Sequence, residues 1–138
     1  MSAKIVPELY CTDLERSLSF YTKVCGFSVR YARPEERFAY LDLDGAELML
    51  EQTVSPERTF VAAPLEYPFG RGMNLQIEVT GLQALHDRVI EHGCRIFLPL
   101  EERWYRRETE EVGNRQFVVM DPDGYLLRFF EDLGSRAL

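Results

Sequence analysis

The polar residues best suited to bind or activate a small molecule lie in short segments where apolar and polar positions alternate. Four such residues are Glu51, Asn74, Gln76 and Arg128. Successive strand residues point to opposite faces of a sheet, so these side chains define mixed faces that are backed by apolar ones. A carboxylate can act as a general base, and a guanidinium binds a carboxylate at two points. We expect the mixed faces either to line a ligand pocket or to form the solvent side of a half-buried sheet.

Several candidates have two open interpretations. Arg128 either recognises an anionic ligand or forms an internal ion pair with Glu51 or Glu8. Phe38 and Tyr40 are either aromatic walls of a pocket or core residues of a strand.

Trp104 and Tyr105 belong to an arginine-rich stretch that contains Arg103, Arg106 and Arg107. We expect the two rings to form a lid over the ligand, and the alternative is aromatic packing on the edge of the sheet.

No familiar catalytic motif accompanies these residues. The chain has no glycine-rich phosphate loop, no nucleophile elbow and no Cys-x-x-Cys pair. His86 and His92 fall on or just after the second predicted helix, where a packed, hydrogen-bonded histidine is expected at position 86. The three cysteines, Cys11, Cys25 and Cys94, have no short spacing, which predicts reduced thiols and a cytoplasmic protein.

Composition excludes two classes of partner. The net charge is -7 and no basic stripe is present, which argues against a nucleic-acid partner. The mean hydropathy is -0.24, and no apolar run approaches the roughly 20 residues that a membrane span needs. The opening residues show no long apolar stretch of the kind found in secretory signals.

An internal repeat predicts the elements that position the candidates. Thr12 to Glu15 and Thr80 to Gln83 are both predicted to be capping boxes, 68 residues apart, and each begins a helix that ends at Gly26 or Gly93. We therefore predict an α+β fold with two βαβββ modules in tandem, residues 1–54 and 72–138, joined by a linker at 55–71.

The later parts of the two halves differ in length. The hairpin turns Asp44-Gly45 and Asp123-Gly124 are 79 residues apart, so the second half carries about eleven extra residues. We predict that these form a long functional loop around Pro99 to Asn114.

The opening and closing segments resemble one family. Val6-Pro7-Glu8-Leu9, Asp13-Leu14, Ser19-Phe20-Tyr21-Thr22 and Gly26-Phe27 resemble the opening of the vicinal oxygen chelate superfamily, and Asp121-Pro122-Asp123-Gly124-Tyr125 resembles its closing hairpin. The resemblance implies paired βαβββ modules that form a curled mixed sheet around a cleft. It places Val6, Met49, Asn74 and Arg128 where metal-dependent members carry ligands, with Glu51 as an alternative to Met49. None is histidine, and Arg128 puts a cation where a metal needs an anion, so we predict no metal and no cofactor.

Among non-metal members, the bleomycin-resistance proteins are the most similar. Pro7 corresponds to the hinge of an N-terminal arm exchanged between subunits, and Phe38 lies in a similar Phe-Ala context. Val112 to Phe117 resembles the segment before their closing hairpin, with Gly113 in place of a drug-stacking tryptophan. The predicted ligand-binding residues are Arg128, Glu51, Met49, Asn74, Gln76, Phe38, Tyr40, Trp104 and Arg115.

The resemblance implies a metal-free, homodimeric small-molecule binding protein that acts by drug sequestration. A cationic drug suits the acidic chain, whereas Arg128 suits an anionic ligand, and the two indications conflict. The alternatives are a divergent lyase, isomerase or dioxygenase with an unusual metal set, using Glu51 or Glu8 as its base, and an interaction module with a vestigial pocket.

Overall fold

A computed structural model describes residues 3–53 and 59–138, so residues 54–58 of the predicted first module and linker lie outside it. The first half contains β1 (Glu8–Cys11), α1 (Leu14–Ser19) with a π-helical continuation (Phe20–Val24), β2 (Ser28–Arg33), a 3-10 turn (Pro34–Glu36), β3 (Phe38–Leu43) and β4 (Ala46–Gln52). The second half contains β5 (Asn74–Glu78), α2 (Leu82–Glu91), β6 (Ile96–Arg107), β7 (Glu110–Met120) and β8 (Leu126–Ala137). The predicted order, βαβββ twice, is confirmed.

Each half forms its own four-stranded mixed sheet. The strand orders are β1-β4-β3-β2 and β5-β8-β7-β6, with β1 parallel to β4, β5 parallel to β8 and the other pairs antiparallel. The chain divides into two compact units: the described residues up to Arg71 with Pro122–Gly124, and Gly72–Asp121 with Tyr125–Leu138. The α+β class and the tandem modules are therefore as predicted.

The alternation of side chains sorts the faces as expected. Leu48 and Leu50 of β4, and Leu127 and Phe129 of β8, are almost completely buried. α1 contacts β4, while α2 contacts β7 and β8, so these apolar faces pack under the helices. The opposite faces, which we call the mixed faces, carry the polar candidates. Among the described residues, no helix is long and apolar enough to cross a bilayer.

The predicted capping boxes are wrong. Side chains from the sheet accept hydrogen bonds from helix-start amides that the boxes were expected to satisfy. The side chain of Asp13, not of Thr12, caps α1 by accepting from the Arg16 amide. Gly81 occupies the N-cap position of α2 in a left-handed conformation, and no side chain of the described residues caps the helix from that position.

The first amide of each helix donates instead to a side-chain oxygen. That side chain belongs to the strand that runs parallel to the first strand of the module. The Leu14 amide donates to Gln52 Oε1 at 2.9 Å, and the Leu82 amide donates to Glu131 Oε1 at 2.7 Å. Gln52 and Glu131 are equivalent in the repeat.

The extra residues of the second half form strands, so the predicted loop is wrong. β6 and β7 continue as a long hairpin in which Arg107 pairs with Glu110, and β8 runs alongside β7 until Ala137 pairs with Glu110. Only Glu108 and Thr109 make the turn, with Glu108 at a φ of 58°. Backbone pairing accommodates the extra length, and it turns the segment into a three-stranded ribbon.

The two Asp-Gly turns also differ. Asp44-Gly45 forms the predicted two-residue hairpin, with both residues at positive φ. The second connection is longer, spanning 121–125, and Asp123 does more than form a turn. Asp123 is buried, and its carboxylate accepts from the Thr12 hydroxyl at 2.7 Å and from the Thr12 amide at 3.2 Å. The Arg16 guanidinium lies 3.3 Å away.

Candidate functional site

The mixed face of the second module brings together three of the predicted site residues. Asn74 and Gln76 project from β5, and Gln76 is the register partner of Arg128 on β8. Arg128 Nη2 donates to Gln76 Oε1, a neutral acceptor. Arg128 Nε is buried and has no hydrogen-bond partner among the described residues. Among the described residues this guanidinium therefore has a neutral partner and one unused donor on this face.

A cavity of about 340 Å³ lies on the same face, beside the Gln76–Arg128 pair. Its lining residues are Gln76, Arg107, Val112, Asn114, Phe130, Asp132, Gly134 and Ser135. Val112 and Phe130 supply apolar contact, and amide, hydroxyl and carboxylate groups supply hydrogen-bonding partners. Five of the eight lining residues are polar or charged, so the cavity suits a small polar ligand.

Sequence reasoning missed two residues on this face, Gln116 and Glu101, and it assigned a third, Tyr105, to a lid. The side chain of Gln116 is almost completely buried, and its Nε2 donates to Glu101 Oε2 at 2.8 Å and to the Tyr105 hydroxyl at 2.6 Å. Gln116 Oε1 is buried without a hydrogen-bond partner in the described structure. The alternation of β7 places its even-numbered residues on the mixed face, which could have identified Gln116 from the sequence. The stretch was predicted to be a loop, so this alternation was not applied to it.

The mixed face of the first module carries aromatic rings, and arginine side chains of the same module lie over them. Phe38 and Glu51 are register partners, as are Tyr40 and Met49, so these four predicted residues are neighbours. Phe38 and Tyr40 are both more than nine-tenths buried, which favours the core interpretation for the two rings. The Arg33 guanidinium lies 4.0 Å from the Phe38 ring centroid.

Glu47 lies on the same face as the aromatic rings and makes three polar contacts there. Its carboxylate accepts from the Tyr40 hydroxyl, lies 3.1 Å from Arg30 Nη1 and accepts from the Ala3 amide at 3.2 Å. The hydrogen bond from Tyr40 is the main cause that lowers the pKa of Glu47, and burial opposes it. Tyr40 donates its only hydroxyl proton to Glu47, so its hydroxyl group has no proton left to donate to a ligand.

Tyr10 also lies on this face, and its hydroxyl is engaged. It donates to Glu8 at 3.2 Å and accepts from the Phe60 amide at 2.9 Å. Burial is the main cause that raises the pKa of Tyr10. Glu8, one of the two predicted general bases, is therefore a hydrogen-bond acceptor for a neutral phenol.

Trp104 and Arg115 lie on the helix side of the second sheet, not on its mixed face. Arg115 Nη2 donates to Gln83 Oε1 of α2 at 2.5 Å. Trp104 pairs with Gly113 across the β6–β7 ladder, and its ring occupies the space above that glycine. The Arg136 guanidinium lies 3.9 Å from the Trp104 ring centroid. The predicted lid is therefore part of a strand, and its tryptophan packs within the ribbon.

A second cavity, about 630 Å³, lies in the first module near the start of α1. Its lining residues are Thr12, Asp13, Leu14, Glu15, Leu18, Ala32, Pro34, Arg37, Phe38 and Gln52. Of the predicted site residues, it includes only Phe38.

The donor set does not fit a bound metal ion. In the parts of the chain that the structure describes, no group of three or more His, Cys, Asp or Glu side chains is arranged to hold one. None of the four positions implied by the resemblance offers a hard anionic donor, since they hold Val6, Met49, Asn74 and Arg128. His86 packs edge-on against Phe117 at 5.0 Å between ring centroids. The expected hydrogen bond is missing, since His86 Nδ1 is buried with no hydrogen-bond partner among the described residues, and Asp87 Oδ1 lies 3.9 Å from it.

Comparisons with known proteins identify one matching family and several similar solved structures. Residues 5–129 match the family model described as the Glyoxalase/Bleomycin resistance protein/Dioxygenase superfamily. The chain is 43% identical to a solved member of that superfamily from Vibrio splendidus 12B01, over 92% of this chain and 97% of that one, with a TM-score of 0.42. A search of curated protein sequences finds no match.

Two further solved structures resemble the chain over nearly its whole length. TioX from Micromonospora sp. ML1 is 25% identical, over 95% of this chain and 100% of that one, with a TM-score of 0.70. A protein of unknown function from Agrobacterium tumefaciens str. C58 is also 25% identical, over 96% of each chain, with a TM-score of 0.70.

Proposed function

Since the chain belongs to the Glyoxalase/Bleomycin resistance protein/Dioxygenase superfamily, we propose that it is a metal-free protein that binds a small carboxylate on the mixed face of its second module. The observation that carries this proposal is the unpaired charge of Arg128. Its partner within the module is the neutral amide of Gln76, and its Nε is buried without an acceptor among the residues that the structure describes. A partly buried guanidinium gains strongly from a carboxylate, which supplies both charge and acceptors.

The size of the adjoining cavity supports a small ligand over a large drug. Ligand pockets usually enclose about 300–1,000 Å³, and the cavity beside Gln76 encloses about 340 Å³. The positive charge of Arg128 also repels a large cationic drug. Sequestration of bleomycin-like drugs remains part of the proposal only for a ligand that carries an anionic group.

A catalytic role is the second candidate, and Glu101 is the observation that favours it. This carboxylate lies on the same mixed face as Arg128, held by Gln116 beside the Tyr105 hydroxyl. A general base facing a bound carboxylate has the arrangement needed to remove a proton from a ligand. Glu101 therefore joins Glu51 and Glu8 as a candidate base.

The first experiment measures the metal content of untagged protein purified without chelator, followed by thermal-shift titrations with Zn²⁺, Ni²⁺, Mn²⁺ and Fe²⁺. We expect less than about a tenth of an equivalent of metal and no concentration-dependent shift, because the donor set is unsuitable. Stoichiometric metal would contradict the metal-free proposal and turn attention to catalysis.

The second experiment tests Arg128 directly with a panel of small carboxylates, monitored by calorimetry and thermal shift. Arg128→Met removes the charge and keeps most of the side-chain volume, and we expect it to weaken binding at least about tenfold. Arg95→Met is the matched control, since Arg95 is an exposed arginine of the same module. Equal losses in both variants would point to a general effect of charge and not to a site.

Glu101→Gln separates binding from catalysis. Under the binding proposal it changes affinity at most, whereas an enzyme that uses Glu101 as its base loses turnover with little change in affinity. Glu51→Gln and Glu8→Gln provide the same comparison for the other two carboxylates.

The proposal includes a cytoplasmic homodimer. The three cysteines are thiols in the described structure, which suits a reducing compartment. Ile5, Phe60 and Met73 are large apolar residues that are exposed in the single chain, and an exchanged N-terminal arm hinged at Pro7 would bring partner surface to such residues. Light scattering on the purified protein tests this, with a monomeric mass as the contradicting outcome.

A further inference from the structure

We propose that the carboxylate ligand also carries a hydrogen-bond donor, such as a hydroxyl, and that Gln116 Oε1 accepts from it. This inference rests on the proposed function, since it concerns the same face and the same Arg128. Two buried polar atoms on that face lack hydrogen-bond partners within the described parts of the chain: the donor Arg128 Nε and the acceptor Gln116 Oε1. Native proteins leave few such atoms unpaired, and each one calls for an explanation.

The sheet register brings the two side chains to the same place. Gln116 is the register partner of Phe130, and Arg128 lies two residues before Phe130 on the same strand. Gln116 and Arg128 are therefore diagonal neighbours on one face, and such positions are separated by about 7–8 Å between strands. A ligand of a few carbon atoms is long enough to contact both side chains.

The orientation of the Gln116 amide is fixed by its neighbour. Glu101 in its charged form can only accept hydrogen bonds, so the Nε2 of Gln116 must face it. The Tyr105 hydroxyl receives the second Nε2 proton. Both amide protons are thus used toward β6, and Oε1 is left as an acceptor that Glu101 and Tyr105 hold in one orientation.

The two unpaired atoms have complementary requirements. Arg128 Nε needs an acceptor, which a carboxylate oxygen supplies, and Gln116 Oε1 needs a donor, which a hydroxyl supplies. Phe130 stands opposite Gln116 and lines the cavity, so it offers an apolar surface to the carbon chain between the two polar groups. The face therefore matches a short hydroxycarboxylate better than a plain fatty acid.

The experiment compares butyrate with 2-, 3- and 4-hydroxybutyrate, which share a carbon skeleton and differ only in the hydroxyl. Affinities are measured by calorimetry for the wild-type protein, for Gln116→Met and for Arg128→Met, after thermal unfolding has shown that each variant is folded. We expect at least one hydroxybutyrate to bind the wild type about tenfold or more tightly than butyrate, because a buried acceptor rejects a ligand without the donor.

The variants then assign the preference to its residue. Gln116→Met should bring the hydroxybutyrate and butyrate affinities within about threefold of each other, whereas Arg128→Met should weaken both ligands together. Equal binding of all four acids by the wild type overturns the inference and leaves the proposed function intact. Failure of every acid to bind overturns both, and the wild-type comparison decides even where Gln116→Met does not fold.

Discussion

The indole ring of Trp104 lies over Gly113, in the space that any side chain at position 113 would fill. A Cβ atom built on Gly113 comes within 2.7 Å of the Trp104 ring. The two residues are opposite each other on β6 and β7, and the Arg136 guanidinium covers the indole ring. Gly113 therefore provides the space that the ring of the chain's only tryptophan occupies.

Gly113→Ala should destabilise the protein because the new methyl group collides with the Trp104 ring. We expect a loss of about 1–3 kcal/mol in the free energy of unfolding, as overpacked sites show. Urea unfolding followed by tryptophan fluorescence and by circular dichroism measures it.

The Trp104→Ala background is the control for this effect. There the same Gly113→Ala change should cost about 0.5 kcal/mol or less, since the ring that causes the clash is gone. Equal costs in the two backgrounds would show that the ring is not the reason for glycine at this position.

Asp123→Ala should destabilise the first compact unit by about 3 kcal/mol, because it leaves the Thr12 amide and hydroxyl and the Arg16 charge without their buried acceptor. Asp44→Ala, at the equivalent turn of the other half, is the matched control. Asp44 is exposed, so its loss should cost about 1 kcal/mol or less. Urea unfolding measures both losses in the free energy of unfolding. Similar losses for the two substitutions would show that Asp123 stabilises the protein no more than an ordinary turn residue does.

Stability should fall in acid partly through Glu47. Its pKa is lower in the folded protein than in the unfolded chain, so the unfolded chain takes up the proton more readily. The contribution is complete above the unfolded value of about 4.3 and is lost as the pH falls through the folded value.

Glu47→Gln measures that contribution. The stability difference from the wild type should be largest at neutral pH and should shrink toward about pH 3. Glu35→Gln, an exposed carboxylate in the same module, should leave the pH profile unchanged. A difference between wild type and Glu47→Gln that stays constant with pH would refute this account.

Glu131→Ala should weaken the start of α2 by about 1 kcal/mol, because the Leu82 amide loses its acceptor. Gln52→Ala should have a comparable effect on α1 through the Leu14 amide. Hydrogen exchange at these two amides is the direct readout. Unchanged exchange rates in the variants would show that water replaces the side chains at no cost.

Local pattern in the sequence determined the elements of this protein. The two-residue alternation identified the faces that bury Leu50 and Phe129, and Gly26 and Gly93 marked where the helices end. These features depend on a few neighbouring residues, since side-chain direction in a strand and left-handed conformation at a glycine are local properties. The order of elements and the tandem repeat followed from them.

The contents of each face were decided only by tertiary structure. Thr12 was predicted as a cap, but it is held by Asp123, which lies 111 residues away. Trp104 was placed in a lid, yet pairing with β7 and β8 drew it into a strand over Gly113. Gln116 gained its role from two partners on β6. Hydrogen bonds and packing between distant strands leave no periodic trace in the sequence, because they depend on register between strands and not on neighbours along the chain.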